Sequence, residues 1–419
     1  MAKAAAKTTV SGPSAAARAK IAIMKATGQK PIGPTKTTVP HLSTGSLSVN
    51  MLIGGTPGSD GKPICPGFPR RRITEVYGQE SSGKTTLLLS AIVQAQKAGG
   101  CAMFIDYEHA LDLNYAKAVG VDIENEDKWL FFQPEDMEQG LKMAYIGVAT
   151  GVDIVGIDSI AAMVPKDELT KDLDDNAKIG AVARILARDL PKFVLWLQKY
   201  PMEGKGDARK KIEDHPGTAF VVLNQTRAVI NTSGGRGGDT ENTSGGKALT
   251  FFSYMRLRMQ RIKSEFIERK DPMTGKKRRF PYGNLTDVKV IKSKVDAKQG
   301  HSTNVFIRYG YGIDDYLSLI EAGVTYKLIK RAGAFYSYEE HRFQGKDKFR
   351  QFLINDPKVM QEIHDKLVPE IGGSAYTAAN DEDLTEEDLL LESMGEDMGV
   401  DLDEEVSEAL SETEELVSE

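Results

Sequence analysis

The segment from residue 72 to residue 97 constrains the fold of this chain more than any other. A short β-branched strand, RITEVY, runs into the turn GQESSGKT at 78–85, and an apolar-periodic helix follows. The turn matches the pattern G-x-x-x-x-G-K-[ST], in which glycines let consecutive backbone N–H groups point inward at phosphate oxygens. A preceding strand and a following helix are the context that confirms such a match. We therefore predict a phosphate-binding turn.

The residue types of this turn indicate ATP with Mg²⁺ as its ligand. We expect the Lys84 ammonium to reach the β- and γ-phosphates and the Thr85 hydroxyl to hold Mg²⁺. The helix that begins near Lys84 adds the positive end of its dipole. The candidate nucleotide contacts of the turn are Gly78, Glu80, Ser81, Ser82, Gly83, Lys84, Thr85 and Thr86.

Other strands deliver polar groups beside this turn. The apolar strand IVGID ends in Asp158, whose carboxylate can hold Mg²⁺ through water. The strand that begins FIDYEHALD carries Asp106 and Glu108, and either carboxylate could polarise an attacking water as general base. Spacing alone does not choose between them. A third strand ends in an amide, Gln225, which can hydrogen-bond a γ-phosphate and lose that bond on hydrolysis.

A long loop follows this third strand. It reads AVINTSGGRGGDTENTSGG at 228–246 and has little to pack. Loops of this length in compact domains are usually functional or disordered. Because the loop comes directly after the candidate phosphate sensor, we favour a loop that a ligand orders.

Strands alternate with helices from about residue 41 to residue 312. This alternation predicts an α/β core with a mostly parallel central sheet and helices on both faces. The strand and helix candidates are Arg72–Tyr77, Ala102–Asp106, Ile154–Asp158, Ala219–Asn224, Met255–Ile262, Val288–Lys292 and Val305–Tyr309, with helices after Lys84, within Met137–Thr150 and from Ala177 to about Tyr200. We expect a short N-terminal helical segment at 1–40, the core at 41–313, a small α/β C-terminal domain at 314–372 and an acidic disordered tail at 373–419.

Charge is distributed unevenly along the chain. The net charge is −6, but residues 381–419 hold 18 of the 60 acidic residues and no Lys or Arg, which leaves 54 basic against 42 acidic residues before them. The body is therefore basic, which suits a polyanion. The tail either keeps the chain in solution or competes with a polyanion for the basic surface. Two cysteines and no long apolar run predict a reducing cytoplasmic location and no membrane span.

The ordered set of motifs resembles the family of bacterial RecA recombinases. The motifs that carry the resemblance are STGSLSVN (43–50), YGQESSGKTTL (77–87), FIDYEHALD (104–112), GIDSIAAMVPK (156–166), LNQTR (223–227), TSGGKALTFF (243–252), VKVIKSK (288–294) and GAFYSY (333–338). They span roughly residues 41–370. Helicases and other ATPases of the wider superfamily share the phosphate turn but not FIDYEHALD or VKVIKSK in these places.

The resemblance implies a role for individual residues of the ATPase. Glu108 would be the general base and Gln225 the γ-phosphate sensor. Asp112 and Tyr115 would contact adenine, and Tyr309 and Gly310 would join the nucleotide contacts. The resemblance also implies that Lys292 and Lys294 reach the γ-phosphate of the neighbouring subunit, and that Phe251 packs at the subunit interface. Two cations on one face of a strand suit an anion across an interface.

The resemblance also implies two DNA-binding loops. The first would run from Pro165 to about Ile179, and the second from 226 to 246, where an apolar wedge between bases would be offset by backbone contacts. Contacts of this kind hold phosphates without reading sequence. The implied DNA contacts are Ile179, Arg184, Arg227, Ile230, Gly245, Gly246 and Lys247 for the single strand, and Arg261 and Lys289 for the incoming duplex.

One departure from the family pattern concerns the incoming duplex. Asp287 stands where the family has a basic residue, and the insert ERKDPMTGKKRRFPYGN at 268–284 reads as a hairpin extension around a Pro/Gly turn. We hypothesise that Lys276–Arg279 restores this secondary site. A solvated hairpin tip is the alternative.

Taken together, these motifs predict an ATP-dependent recombinase with DNA-stimulated ATP hydrolysis. It would polymerise into a helical filament on single-stranded DNA and exchange strands with a homologous duplex, in recombination, repair and the SOS response. Single-strand-binding and loading proteins are expected as further partners. Two alternatives stay open at this point: a ring-forming DNA helicase with the same core, and a nucleotide-gated DNA-coating protein without catalysis.

Overall fold

The computed structural model describes a large part of the chain. The described residues are 15–27, 39–54, 64–169, 180–199, 201–203, 210–212, 214–227, 242–270, 273, 275–295 and 299–372. The chain divides into two units, Met1–Thr37 and Thr38–Glu419. The first unit contributes one helix, and all other described elements belong to the second. The predicted acidic disordered tail at 373–419 lies outside the described residues.

The helices and strands are numbered in chain order. The helices are α1 Ala15–Thr27, α2 Leu47–Ile53, α3 Lys84–Lys97, α4 Leu113–Val119, α5 Met137–Thr150, α6 Lys166–Leu169, α7 Ala181–Lys199, α8 Gly246–Phe252, α9 Asp315–Thr325, α10 Lys346–Asn355 and α11 Pro357–Gly372, with a 3₁₀ turn at Ile160–Ala162. The strands are β1 His41–Leu42, β2 Phe68–Pro69, β3 Arg72–Gly78, β4 Ala102–Asp106, β5 Trp129–Phe132, β6 Ile154–Asp158, β7 Met202–Glu203, β8 Lys210–Lys211, β9 Ala219–Arg227, β10 Asn242–Thr243, β11 Met255–Lys270, β12 Lys277–Ser293, β13 Ser302–Arg308, β14 Gly312–Ile313, β15 Lys330–Ala332, β16 Phe335–Tyr338 and β17 His341–Gln344.

One ten-stranded sheet organises the second unit. Its order is β14-β13-β12-β11-β3-β9-β6-β4-β5, with β10 paired to β9. The pairs from β11 through β3, β9, β6 and β4 to β5 are parallel, whereas β11, β12, β13 and β14 pair antiparallel. The prediction of a mostly parallel central sheet is therefore confirmed, and an antiparallel end is added to it.

Both faces of the parallel part are covered by helices. Neighbouring residues of one strand point to opposite faces, so Phe104 joins the core on the α3 side while Ile105 joins the core on the side of α5 and α7. Val221 and Val222 of β9 divide in the same way. Burial on both faces explains why β4, β6 and β9 begin as continuous apolar runs and end in polar residues.

The antiparallel end is longer than the strand candidates predicted. β11 and β12 pair from Met255↔Ser293 out to Lys270↔Lys277, across the insert. The hairpin extension is therefore present, and it continues the two core strands without a break. The sequence pattern indicated two short strands because their outer halves carry exposed charged residues and lack apolar alternation.

The C-terminal part is a small α/β assembly, as predicted. The strands β15, β16 and β17 form a three-stranded antiparallel sheet. Phe343 stacks on Phe349, and both contact Phe352, which fixes α10 against this sheet. The sequence prediction missed α10, whose KDKFRQFLIN sequence is mostly polar. Within the described part of the chain, every helix is too short or too polar to cross a membrane.

Candidate active site

The phosphate turn is held in its shape by backbone conformations that few residues adopt. Gly78 has φ +157° and Gly83 has φ +93°, and a Cβ at Gly78 would lie 2.0 Å from the Met259 carbonyl oxygen. The Thr286 hydroxyl donates to the carbonyl of Ser82, which ties the turn to β12. Glycines are therefore required here by close approach as well as by backbone conformation, and the cradle fits a phosphate group.

Lys84 opens α3 and lies inside the turn. Its ammonium donates to the carbonyl oxygens of Gly78 and Gln79, at 3.1 and 2.9 Å. Burial lowers the pKa of Lys84, and the nearby carboxylates of Asp158 and Glu108 oppose that shift. The turn thus presents a buried cation at the positive end of a 14-residue helix.

Asp158 lies next to the turn at the end of β6. The Thr85 hydroxyl donates to its carboxylate at 2.7 Å. Burial raises the pKa of Asp158 to about 6, the Thr85 hydrogen bond opposes the shift, and the charge of Glu108 adds to it. A hydroxyl and a carboxylate in contact are the oxygen donors that Mg²⁺ uses together with phosphates. This pair therefore suits the metal assignment.

The two candidate bases occupy different environments. Asp106 is 1% exposed and accepts hydrogen bonds from the backbone N–H of Leu111 and the side chain of Gln133. Glu108 is exposed, and its Oε1 accepts from the Ser159 hydroxyl and, at 2.8 Å, from the Gln225 amide. The structure thus commits Asp106 to holding the strand-to-helix connection, whereas Glu108 faces the candidate phosphate sensor.

A cavity of about 480 Å³ opens beside the turn. Tyr115 lines it and hydrogen-bonds the Thr86 hydroxyl at 2.7 Å. Tyr309 and Gly310 line the opposite wall, although they come from the antiparallel end of the sheet. Residues from both ends of the sheet therefore enclose a space of the size expected for a small-molecule ligand.

Two of the predicted contacts are placed differently from the rest. Asp112 caps α4 by accepting from the backbone N–H groups of Asn114 and Tyr115, so it positions the Tyr115 ring through the helix. Arg261, predicted to contact duplex DNA, also lines the nucleotide cavity. Its guanidinium therefore lies where the nucleotide wall and the ribbon of β11 and β12 meet.

A buried polar cluster lies next to Gln225, the candidate phosphate sensor. The Asn224 amide donates to Glu75 at 2.9 Å and to the Ser244 carbonyl at 2.7 Å, and the Arg256 guanidinium donates to the second oxygen of Glu75. Glu75 and Asn224 are fully buried. Sequence reasoning missed Glu75 and Arg256, because their partners lie on strands far apart in the chain. A charged residue in an otherwise apolar strand was the signal available.

The candidate interface residues lie together at one end of α8. The Lys292 ammonium donates to the carbonyl oxygens of Thr250 and Phe251, at 2.8 and 2.9 Å. Burial lowers the pKa of Lys292, and the charge of Lys294 adds to the effect. The Phe251 ring is 56% exposed, and Lys294 is exposed as well. These groups form an outward-facing set that is separate from the phosphate turn of the same subunit.

The described ends of the predicted DNA loops meet at α7. A Cβ on Gly245 would lie 2.8 Å from Leu186, and one on Gly246 would lie 3.0 Å from Ala183. Arg184, on the same helix, and Lys247 are exposed. The backbone of Arg227 ends β9 opposite Asn242 of β10, so the second loop is closed at its base. Ile179 and Ile230 lie outside the described residues, and Lys289 is half-buried on β12.

Comparison with known proteins identifies the family of the chain. The family model described as the RecA N-terminal domain matches residues 16–314, and that of the RecA C-terminal domain matches residues 318–372. The chain belongs to the RecA family. It is 39% identical over 352 residues to Protein RecA of Salinispora tropica, which covers 83% of this chain and 87% of that protein. It is 36% identical over 349 residues to Protein RecA of Corynebacterium urealyticum, covering 83% and 82%.

Family membership confirms the function predicted from the motifs. As a RecA-family protein the chain is a recombinase with DNA-dependent ATPase activity, acting in recombination and repair. The roles of single residues rest on the geometry given above.

Proposed function

We propose that the chain hydrolyses ATP with Mg²⁺ at the cavity beside Lys84 and uses the γ-phosphate to order its DNA-binding loops. The observation that carries the proposal is the meeting of Glu108 and Gln225, 117 positions apart in sequence, at 2.8 Å beside the Thr85–Asp158 pair. The carboxyl-terminal ends of β4, β6 and β9 and the first turn of α3 supply these groups, and each is a type that phosphoryl transfer requires.

The residues divide the work between binding and proton transfer. Lys84 and the N–H groups of the turn would neutralise the β- and γ-phosphates, and Thr85 and Asp158 would hold Mg²⁺, which supplies charge stabilisation when bound. Glu108 would polarise the attacking water. The exposure of Glu108 and its contact with Gln225 support this role over Asp106, which is 1% exposed and accepts from the Leu111 backbone and from Gln133.

Gln225 would report the state of the nucleotide to the second loop. The Gln225 side-chain amide donates a hydrogen bond to Glu108 in this structure, and with ATP bound it would donate to the γ-phosphate instead. The backbone N–H of Gln225 donates to the Asn224 side chain, and the Asn224 amide donates to the Ser244 carbonyl. A shift of this strand end would therefore move the base of the second loop. This link supports a switch in which bound nucleotide orders the loop.

We further propose that Lys292, Lys294 and Phe251 act on a neighbouring copy of the chain. The Lys292 ammonium is held by the carbonyl oxygens of Thr250 and Phe251, near the end of α8. If a second subunit presents a γ-phosphate, the Lys292 ammonium would leave these neutral carbonyl oxygens for the anion. Filament assembly would then depend on bound nucleotide. Single-stranded DNA would lie along Arg184 and the glycine backbone of Gly245 and Gly246.

The experiment is ATP hydrolysis with and without single-stranded DNA, measured for the wild type and for Glu108→Gln, together with strand exchange between homologous substrates. We expect DNA-stimulated hydrolysis and exchange by the wild type. In Glu108→Gln hydrolysis should fall by about 10²–10⁴-fold while nucleotide binding persists. Asp106→Asn is the matched carboxylate control, and a larger loss of turnover there with normal folding would reassign the base.

Electron microscopy of the same samples separates filaments from rings. Long helical filaments on DNA support the proposal. Closed rings that unwind duplexes without strand exchange would favour the helicase with the same core. Glu108 would then be the general base of a helicase.

A further inference from the structure

The outer halves of β11 and β12 leave the sheet and form a structure of their own. β11 pairs with β3 only as far as Met259, and β12 pairs with β13 only from Gly283 onward. Beyond Glu265↔Gly283, residues 266–270 and 277–281 pair with each other alone among the described strands, and we call them the basic ribbon. At about 3.4 Å per residue the ribbon reaches roughly 17 Å beyond the sheet.

The base of the ribbon is anchored and its outer part is exposed. Glu265 accepts from Lys263 at 2.7 Å and from Lys346 of α10 at 3.3 Å, and Lys346 also pairs with Glu321. These ion pairs join the ribbon to the small C-terminal assembly. Beyond them the side chains of residues 275–281 are exposed. An anchored base and an exposed tip suit an arm that reaches for a ligand.

The charges of the tip oppose each other within the ribbon. Residues 268–279 contain six Lys or Arg and two Asp or Glu. The register sets Lys270 opposite Lys277 and Arg269 opposite Arg278. Like charges directly opposite each other in an antiparallel pair destabilise it. The Lys270–Lys277 pair is of this kind, and a polyanion would offset its repulsion, whereas Arg279 lies opposite Glu268.

Arg279 is held ready for such a ligand. Its guanidinium carbon lies 4.8 Å from the centre of the Phe266 ring, and Phe266 directly follows Glu265 of the ion pairs that anchor the base. Stacking on a ring restricts the side chain while leaving the in-plane N–H groups uncovered, and these donors match phosphate geometry. Lys270, Lys277 and Arg279 share one face of the ribbon, since Lys270 faces Lys277 and Arg279 is two residues from Lys277.

The sheet itself offers less to a second polyanion. Asp287 lies within 4.0 Å of Arg258 on the neighbouring strand and so neutralises part of that surface. From this arrangement we infer that the basic ribbon is a binding arm for the phosphate backbone of double-stranded DNA, in addition to the single strand held at α7. A two-stranded ribbon of this width fits the major groove of a duplex. The inference rests on the proposed function and adds the place where the incoming duplex is bound.

The test compares two sets of three cations. The ribbon variant is Lys270→Gln with Lys277→Gln and Arg279→Gln, and the control is Lys97→Gln with Lys142→Gln and Lys199→Gln, all exposed residues of the core. Filaments preformed on single-stranded DNA with a non-hydrolysable ATP analogue are titrated with a fluorescent 30-base-pair duplex between 50 and 200 mM salt. We expect the ribbon variant to bind the duplex at least tenfold more weakly than the control.

The salt dependence identifies the contact as electrostatic. Each phosphate contact contributes about 0.9 to the slope of log affinity against log salt, so the ribbon variant should lose roughly 2–3 from that slope. Hydrolysis stimulated by single-stranded DNA should match the wild type. Equal duplex affinity and equal slope in the two variants would overturn the inference, whereas failure of the wild type to hydrolyse ATP or exchange strands would overturn the proposed function instead.

A single substitution separates binding from folding of the ribbon. Lys270→Glu replaces a repulsive cross-strand pair with an attractive one, so the melting temperature should stay the same or rise. Duplex affinity should nonetheless fall severalfold, because the ribbon loses a cation and gains an anion. A variant that melts at the wild-type temperature or above and captures duplex as well as the wild type would show that the ribbon has only a structural role.

Discussion

The two ends of the central sheet place their charged side chains in different environments. In the parallel part, β3, β9, β6 and β4 are buried on both faces, and their functional side chains lie at the strand ends, where they hydrogen-bond one another. In the antiparallel part, the basic ribbon carries its charges along an exposed element, with like charges opposite each other. The proposed catalytic groups are thus held together where buried strands end, whereas the proposed groups for a polyanion are spaced along an exposed surface.

The difference has an energetic consequence. A buried charge is stable only with a partner, since removing the partner leaves it desolvated and uncompensated. An exposed charge is solvated in either case. Substitutions in the parallel part should therefore change folding, and substitutions in the antiparallel part should change binding. The predictions that follow test this distinction in order of decreasing effect on stability.

The largest effect is expected from Arg256→Met. Glu75 is fully buried, and Arg256 is its cationic partner. Removing that partner should lower the free energy of unfolding by about 3–5 kcal/mol, measured by urea denaturation. Glu75→Gln combined with Arg256→Met should recover much of the loss, because no buried charge remains. Arg279→Met on the exposed ribbon is the control and should change stability by less than about 1 kcal/mol. Equal losses in the two single variants would contradict the distinction.

A pH effect is expected from Asp158. Its pKa in the folded chain is about 6, against an ordinary value of 3.8. The folded state therefore binds this proton more tightly than the unfolded state. The stability that results is complete below about pH 4 and is lost as the pH rises through about 6, by on the order of 3 kcal/mol.

Asp158→Asn should remove that contribution. The free energy of unfolding of the nucleotide-free variant should fall less between pH 4 and pH 7 than that of the wild type, and the difference measures the Asp158 carboxyl. Asp122→Asn alters an exposed carboxylate and should leave the wild-type pH profile unchanged. If the free energy of unfolding depends on pH in the same way for the wild type and for Asp158→Asn, burial does not raise the pKa of Asp158.

A smaller effect separates the two glycines of the phosphate turn. A Cβ at Gly78 would meet the Met259 backbone at 2.0 Å, whereas one at Gly83 would meet only the tip of the Ile307 side chain. Backbone cannot yield as a side chain can, so Gly78→Ala should cost about 1–3 kcal/mol and Gly83→Ala less. Thermal unfolding with and without nucleotide measures both. A larger loss for Gly83→Ala would show that backbone conformation matters more than contact.

The smallest effect on stability is expected from Phe251→Ala. The ring is 56% exposed and packs mainly on Phe252, so the single subunit should lose less than about 1 kcal/mol. Filament length in electron micrographs should nonetheless shorten markedly if the ring packs against a neighbour. Leu249→Ala, two residues earlier on α8, provides the contrast, since Leu249 is fully buried and its loss should cost about 2–5 kcal/mol. Filaments of wild-type length in Phe251→Ala would remove this residue from the interface.

Much of the site was determined by sequence alone. The turn at 78–85, the strands that end at Asp106 and Asp158, and the helix Met137–Thr150 were predicted at or near their observed bounds, because each depends on local pattern: a β-branched or apolar run, a glycine turn, and a helical repeat. The same local pattern predicted the parallel sheet, which brings the strand ends together.

The tertiary structure decided what depends on distant residues. It distinguished Glu108 from Asp106, paired Glu75 with Arg256 across 181 positions, and placed Tyr309 across the cavity from Tyr115. It also extended β11 and β12 into the basic ribbon, where the sequence has no alternation of apolar and polar residues to predict strands. The physical reason is the same throughout. A local pattern reports which face of an element is buried, but the free energy of a charged or polar group depends on partners that only the folded chain brings within hydrogen-bonding distance.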